Sequence, residues 1–141
     1  LSDRTWELLD SGSLGPPPRR DHTTIYRPAS RWLVTFAGHD GGTAARADTW
    51  AFDLDTHDWI LLEDGTYSPG ARYGHTAIYD PADDRMIVYG GRGAQTYGDV
   101  WAFDFATLGW VQLWSEDEGA GQPRVHDPEA AGDAGDRRGG V

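Results

Sequence analysis

The 141-residue sequence has no cysteine, no lysine and no asparagine. Without cysteine there is no disulfide, no thiolate metal site and no cysteine nucleophile. The redox compartment stays open, because a cysteine-free chain suits any of them. Without lysine, Schiff-base chemistry is excluded from this segment, and without asparagine there is no N-glycosylation acceptor. No apolar run approaches the roughly 18 residues of a membrane-crossing helix. Positive charge is scarce: twelve arginines face 23 acidic residues, for a formal charge of −11. Nucleic acid is therefore not an expected partner, since phosphates call for clustered cations. No nucleophile elbow, phosphate-cradling loop or zinc spacing is present. Gly38, Gly90 and Gly91 follow strand-like runs without opening helices, so a dinucleotide reading lacks its context.

What the chain does have is a pattern that occurs twice. His22-Thr23, Gly38, Asp48-Thr49-Trp50-Ala51-Phe52-Asp53 and Trp59 are followed by His75-Thr76, Gly90-Gly91, Asp99-Val100-Trp101-Ala102-Phe103-Asp104 and Trp110. Trp6 to His22, Trp59 to His75 and Trp110 to His126 are each sixteen positions. The period is fifty-three by the histidines and fifty-one by the tryptophans, where four-stranded propeller blades of about 50 residues fall. Each copy reads as four short strands between turn residues. These are 22–26 and 75–79, an almost continuously apolar 32–37 and 86–89, 48–54 and 99–105 with large and small residues alternating, and a last strand carrying Trp59 or Trp110. A continuous apolar run fits a strand covered on both faces. Alternation places Trp50 with Phe52, and Trp101 with Phe103, on the face toward a neighbouring blade.

Here the chain resembles a family. Arg19-x-x-His22-Thr23 and Arg72-x-x-His75-Thr76, a glycine closing an apolar run, Asp-x-Trp-x-Phe-Asp and a Trp-x-x-Leu segment look like kelch repeats, over roughly residues 4 to 114. The resemblance implies an all-β, kelch-type β-propeller. The first copy departs from the pattern, reading Gly38-His39 where the family usually has two glycines, so the turn there is expected to differ.

The organisation expected is residues 1–18 as the outer strand of a preceding blade and an inter-blade loop, 19–62 as one four-stranded antiparallel blade, 63–71 as a loop, 72–114 as a second blade, and 115–141 as an acidic Gly/Ala/Asp-rich tail reading as disordered. The leading strand is placed at 5–9 because Thr5-Trp6-Glu7-Leu8-Leu9 matches Asp58-Trp59-Ile60-Leu61-Leu62. Two blades leave two apolar faces in water, and propellers close with about four to eight. The expectation is part of a larger ring, with the remaining blades in the same longer chain or, less favoured, in other copies.

Repeated residues are expected to be structural, because one site needs one constellation rather than one per blade. His22 and His75 are expected to be buried and hydrogen-bonded beside Arg19 and Arg72. Asp48, Asp99, Asp53 and Asp104 are expected to accept backbone or arginine hydrogen bonds. Asp80, Asp83 and Asp84 lack the spacing of a calcium loop and read as turn chemistry beside Pro81. The candidates for binding are unrepeated residues of the longer loops, which antiparallel alternation brings to one face: His39, Asp40, Arg46, Arg92, Gln95 and Tyr97, with Asp64 and Tyr67 as weaker members. Arginine would supply forks for carboxylates and tyrosine amphipathic area. No catalytic residue, metal site or cofactor is expected. The favoured function is a binding module that takes a protein, or a small ligand or carbohydrate, on its longer-loop face. The alternative is part of a carbohydrate-active propeller enzyme whose catalytic residues lie in blades not included here. The architecture also resembles the galactose oxidase central domain and sialic-acid epimerases. The former's cysteine–tyrosine cross-link has no counterpart in these residues. A third reading is an inert scaffold.

Overall fold

The structure is a computed structural model that describes residues 4–10, 12, 14–42 and 44–116. Ten strands and no helix are present among them: β1 (Thr23–Arg27), β2 (Trp32–Phe36), β3 (Thr49–Asp53), β4 (Trp59–Glu63), β5 (Arg72–Tyr73), β6 (Thr76–Asp80), β7 (Arg85–Tyr89), β8 (Arg92–Gly93), β9 (Val100–Asp104) and β10 (Gly109–Trp114). They form two four-stranded antiparallel meanders, β1-β2-β3-β4 and β6-β7-β9-β10, and a two-stranded ribbon, β5-β8. These are the two four-stranded blades, and each of their strands overlaps the segment read from the sequence, with β1, β4, β6, β7 and β10 each running one residue past it. The ribbon was not expected. Its strands are two residues each, too short for a hydrophobic pattern to announce.

Ladder register assigns the faces. Ile25, Val34, Ala51 and Ile60 lie opposite one another across blade one, as do Thr23, Phe36 and Thr49. In blade two Tyr79, Met86, Phe103 and Trp110 form one row. These two faces meet as the core: Ile25, Val34, Phe36, Ala51, Met86, Val88 and Phe103 belong to one buried cluster. The Phe36 ring lies 5.1 Å from His75 and 4.6 Å from Trp110. Trp50 and Phe52 share the other face of blade one, while the equivalent Trp101 and Phe103 face the joint. At the far rim Arg27 crosses the joint to fork Asp84, at 2.9 and 2.6 Å, with its guanidinium against the Trp32 and Phe105 rings.

The repeat extends to the backbone. Positive φ recurs at equivalent places: Asp21 and Gly74, Arg31 and Asp84, Ala37 and Gly90, Gly38 and Gly91, His57 and Leu108. This corrects the expectation about the first glycine turn. The equivalent of Gly90-Gly91 is Ala37-Gly38, not Gly38-His39, and the turn keeps its shape: Ala37 N–H donates to Asp48 O at 3.0 Å as Gly90 N–H does to Asp99 O at 3.2 Å. Only the second position demands glycine. A Cβ on Gly38 would sit 2.8 Å from Arg20 O, and one on Gly91 2.9 Å from His75 Cβ.

Residues 5–9, expected as an outer strand, are not in a strand. A strand needs ladder partners, and the inner strands of a preceding blade are not among the described residues. Only the end of the segment touches blade one, where Trp59 Nε1 donates to Asp10 Oδ2 at 3.0 Å and Leu9 lines a hollow with Phe52 and Trp59, while Trp6 and Leu8 are exposed. The expectation for the tail beyond Glu116 lies outside the described residues.

Candidate functional site

Each blade is pinned by the same buried ionic unit. Arg19 forks Asp48 at 2.7 and 2.9 Å and donates to Ala37 O, while Trp50 Nε1 donates to Asp48 Oδ2 at 2.7 Å. Arg72 forks Asp99 at 2.7 and 3.1 Å and donates to Gly90 O, with Trp101 Nε1 on Asp99 Oδ2 at 2.8 Å. The Arg72 side chain is wholly buried, and its guanidinium stacks 4.1 Å from the Tyr97 ring. Burial pushes both aspartates up, but the arginine and indole hydrogen bonds outweigh it and hold both carboxyls below the usual range. Asp53 and Asp104 accept backbone N–H groups of the turns that follow them. Asp80 and Asp83 pair with Arg85.

The histidines divide. His75 is buried, and its Nε2 shares a 2.7 Å hydrogen bond with Thr23 Oγ1 across the joint. Burial first, then the nearby Arg72 cation, lowers its pKa to about 4. His22, expected to be buried as well, is exposed. Its environment would be the joint face of another blade, which the described residues do not supply.

The long loops meet on one face, as antiparallel alternation requires. Arg20 and His39 exchange backbone hydrogen bonds at 2.9 and 3.0 Å, the equivalent of the β5-β8 ribbon. Three further amides tie the loops of one blade to the other: Gly38 N–H to Arg72 O, Arg72 N–H to Arg46 O and Gly74 N–H to Asp21 O, at 2.8, 2.9 and 2.9 Å. Between the loops lies a cleft of about 560 Å³, floored by Gly42, Ala45, Ala71, Gly93 and Ala94 and walled by Tyr73 and Tyr97.

The structure brings together some of the candidates and not others. Tyr97 walls the cleft, and Arg92 lies beside it with its guanidinium 6.0 Å from the Tyr73 ring. Asp40 is exposed at the rim, accepting Gly42 N–H at 2.9 Å. Gln95 is exposed and lines an adjoining hollow with Tyr97. His39 differs from these in its burial. It is buried against Tyr73, with Nε2 2.7 Å from Asp21 Oδ2 and Nδ1 3.2 Å from the Gly41 N–H nitrogen. Arg46 aligns with Tyr97, since Arg46 N–H donates to Gly38 O as Tyr97 N–H does to Gly91 O. Its Nε is buried without a partner among the described residues. Asp64 and Tyr67 do not line the cleft. They sit on the loop after β4, where Asp64 accepts Thr66 N–H at 2.9 Å and Tyr67 is exposed.

The reading of the sequence missed Arg20 and Tyr73. The signal was available, because Arg20 and Tyr73 are equivalent places carrying different residues in an otherwise repeated stretch. Arginine pairing singles out the same face. Arg19, Arg27, Arg31, Arg72 and Arg85 all pair with aspartate. Arg20, Arg46 and Arg92 form no ion pair with a described carboxylate, and all three belong to the long-loop face.

Two stacked meanders with a repeated Arg-Asp-Trp pin define a pair of propeller blades. A family model described as the KLHDC2/KLHL20/DRC7 Kelch-repeats domain matches residues 1–131, and the chain belongs to the kelch-repeat family. It is 34% identical over 121 residues to the host cell factor homolog hcf-1 of Caenorhabditis elegans, covering 77% of this chain and 16% of that one. It is 28% identical over 110 residues to acyl-CoA-binding domain-containing protein 4 of Arabidopsis thaliana, covering 78% and 16%. With dynein regulatory complex subunit 7 of Chlamydomonas reinhardtii it shares 29% over 89 residues, covering 60% and 8%. The chain thus spans less than a fifth of the length of these relatives. Family membership supports a protein-interaction module. No helix among the described residues is long and apolar enough to cross a membrane.

Proposed function

We propose that the chain is a protein-binding module that engages its partner through the long-loop face, around the cleft between Tyr73 and Tyr97, with no chemistry of its own. The observation that carries this reading is the distribution of arginine. In a chain of charge −11, every arginine on the described blades pairs with an aspartate except Arg20, Arg46 and Arg92 on that face. An unpaired guanidinium is a bidentate donor for a carboxylate, and tyrosine adds amphipathic area at low entropic cost. The floor of glycine and alanine lets a peptide backbone approach closely. The amides that stitch the loops together hold the surface in one conformation, which lowers the cost of binding.

Selection of a displayed peptide library on the full chain tests this reading. A recurrent peptide sequence is expected, with affinity falling about tenfold or more for Arg92→Ala and for Tyr97→Ala, in the range of interface hot spots. Peptides that bind equally well after Arg20, Arg46, Arg92 and Tyr97 are all replaced would remove the loop face from the function.

A further inference from the structure

We propose that Arg46 is the acid-reading residue of the long-loop face: it takes a side-chain carboxylate of the partner peptide, from a place where an aromatic ring would serve the fold better. This rests on the loop face as the binding surface and names a chemistry that blade one reads there. Blade two shows what the place does in the fold. Tyr97 stands two positions before the pinned Asp99, and its ring covers the buried Arg72 guanidinium at 4.1 Å. Arg46 stands two positions before the pinned Asp48 and holds the same place, its N–H donating to Gly38 O at 2.8 Å as that of Tyr97 does to Gly91 O. The pin itself is unchanged, since the Arg19 side chain is 4% exposed and forks Asp48. Where blade two offers its pinned cation a π face, blade one offers a second cation, with one carboxylate for the two.

The loops of blade one hold no acceptor in reserve. Among the described residues each of their carboxylates faces another donor. Asp48 is filled by Arg19 and Trp50, Asp21 lies against His39, Asp40 accepts Gly42 N–H, Glu63 accepts the Gly65 and Tyr67 amides and Asp64 accepts Thr66 N–H. Arg46 Nε is buried with no partner among them, and a buried donor left unpaired is costly. Its surroundings belong to the described joint, because Arg46 O accepts Arg72 N–H at 2.9 Å. An acceptor from outside completes this group. Arg19, Arg27, Arg31, Arg72 and Arg85 are each completed by an aspartate, and a guanidinium matches a carboxylate fork to fork. One uncompensated cation suits a monoanion, and a chain of charge −11 opposes a dianion such as phosphate.

Exchange of the two repeat positions tests whether Arg46 serves a ligand or the fold. Arg46→Tyr copies blade two and should raise the urea midpoint of the full chain, while Tyr97→Arg should lower it. Nuclear magnetic resonance of the arginine Nε–H groups reports the ligand, the Arg46 signal being the one that Arg46→Tyr removes. Acetyl-Gly-Glu-Gly-amide should shift this signal saturably and its glutamine counterpart should not. Followed on the Gly38 and Arg72 amides, binding of the glutamate peptide should weaken about tenfold or more in Arg46→Tyr, the range of a charge-assisted hydrogen bond. Arg46→Gln, which keeps the side chain's polarity and drops its charge, should lose the same response without a fall in urea midpoint. A lower midpoint for both Arg46 variants, an equal response to glutamate and glutamine, or tighter binding of the phosphoserine peptide overturns the proposal. Library peptides that need Arg92 and Tyr97 but ignore Arg46→Gln remove the acid-reading role alone, whereas peptides that ignore every loop-face residue remove the loop face with it.

Discussion

His75 ties the chain's stability to pH. Its imidazole is packed between Phe36 and Thr23 with Arg72 close by, and its pKa is lowered to about 4 from an ordinary 6.5. Between those values the unfolded chain binds the proton and the folded chain does not. The stabilisation is therefore complete above about pH 6.5 and is lost as the pH falls toward 4. At about 1.4 kcal/mol per pKa unit the loss approaches roughly 3 kcal/mol. The pKa of His22 is lowered by partial burial and then by Arg19, so it acts in the same direction. The urea midpoint should fall steadily from pH 7 to pH 4.5, and His75→Gln should flatten most of that slope. Below this window protonation of Asp48 and Asp99, whose carboxyls are held below the usual range, adds a second loss.

At the scale of strands and turns, the joint rather than either sheet is the unit of packing. Phe36 belongs to β2, yet its ring rests on His75 and Trp110 of the other blade. Phe36→Ala should cost about 3–5 kcal/mol and remove much of the near-ultraviolet tryptophan signal, although the residue lies in neither Trp-containing strand of blade two. This level was the most legible in the sequence. The apolar run of β2 and the alternation of β3 and β9 set strand positions, and the repeat of Arg19 and Arg72 against Asp48 and Asp99 exposed the structural pins. What escaped depends on contacts distant in sequence. The ribbon of β5 with β8 has no periodicity to read. Ala37 hides the first half of a glycine turn because the left-handed backbone there tolerates a small side chain. His39 read as a loop-face contact but is buried on Tyr73, a fate set by the partner ring. His22 and His75 look identical in the sequence and differ only in whether a blade covers them.

Across the whole molecule, charge is sorted rather than scattered. Aspartates neutralise the arginines inside the blades and at the joint, and the cations left over collect on the long-loop face. That sorting separates two surfaces with different demands. The loop face offers guanidinium and phenol groups around a cleft of small residues, suited to a peptide. The flat sides of the blades offer aliphatic and aromatic rows, suited to another blade. Mutations that disable one surface should leave the other intact.

The amides of Gly38, Arg72 and Gly74, each donated from the loops of one blade to the carbonyls of the other, bear on how the molecule opens. Loops usually breathe independently of the sheets they connect, and their amide protons exchange with solvent quickly. Here those protons are released only when the blades part. They should exchange with deuterium as slowly as the ladder amides of β2 and β7 and in step with them under denaturant, so that the long-loop face and the hydrophobic joint open as one cooperative event.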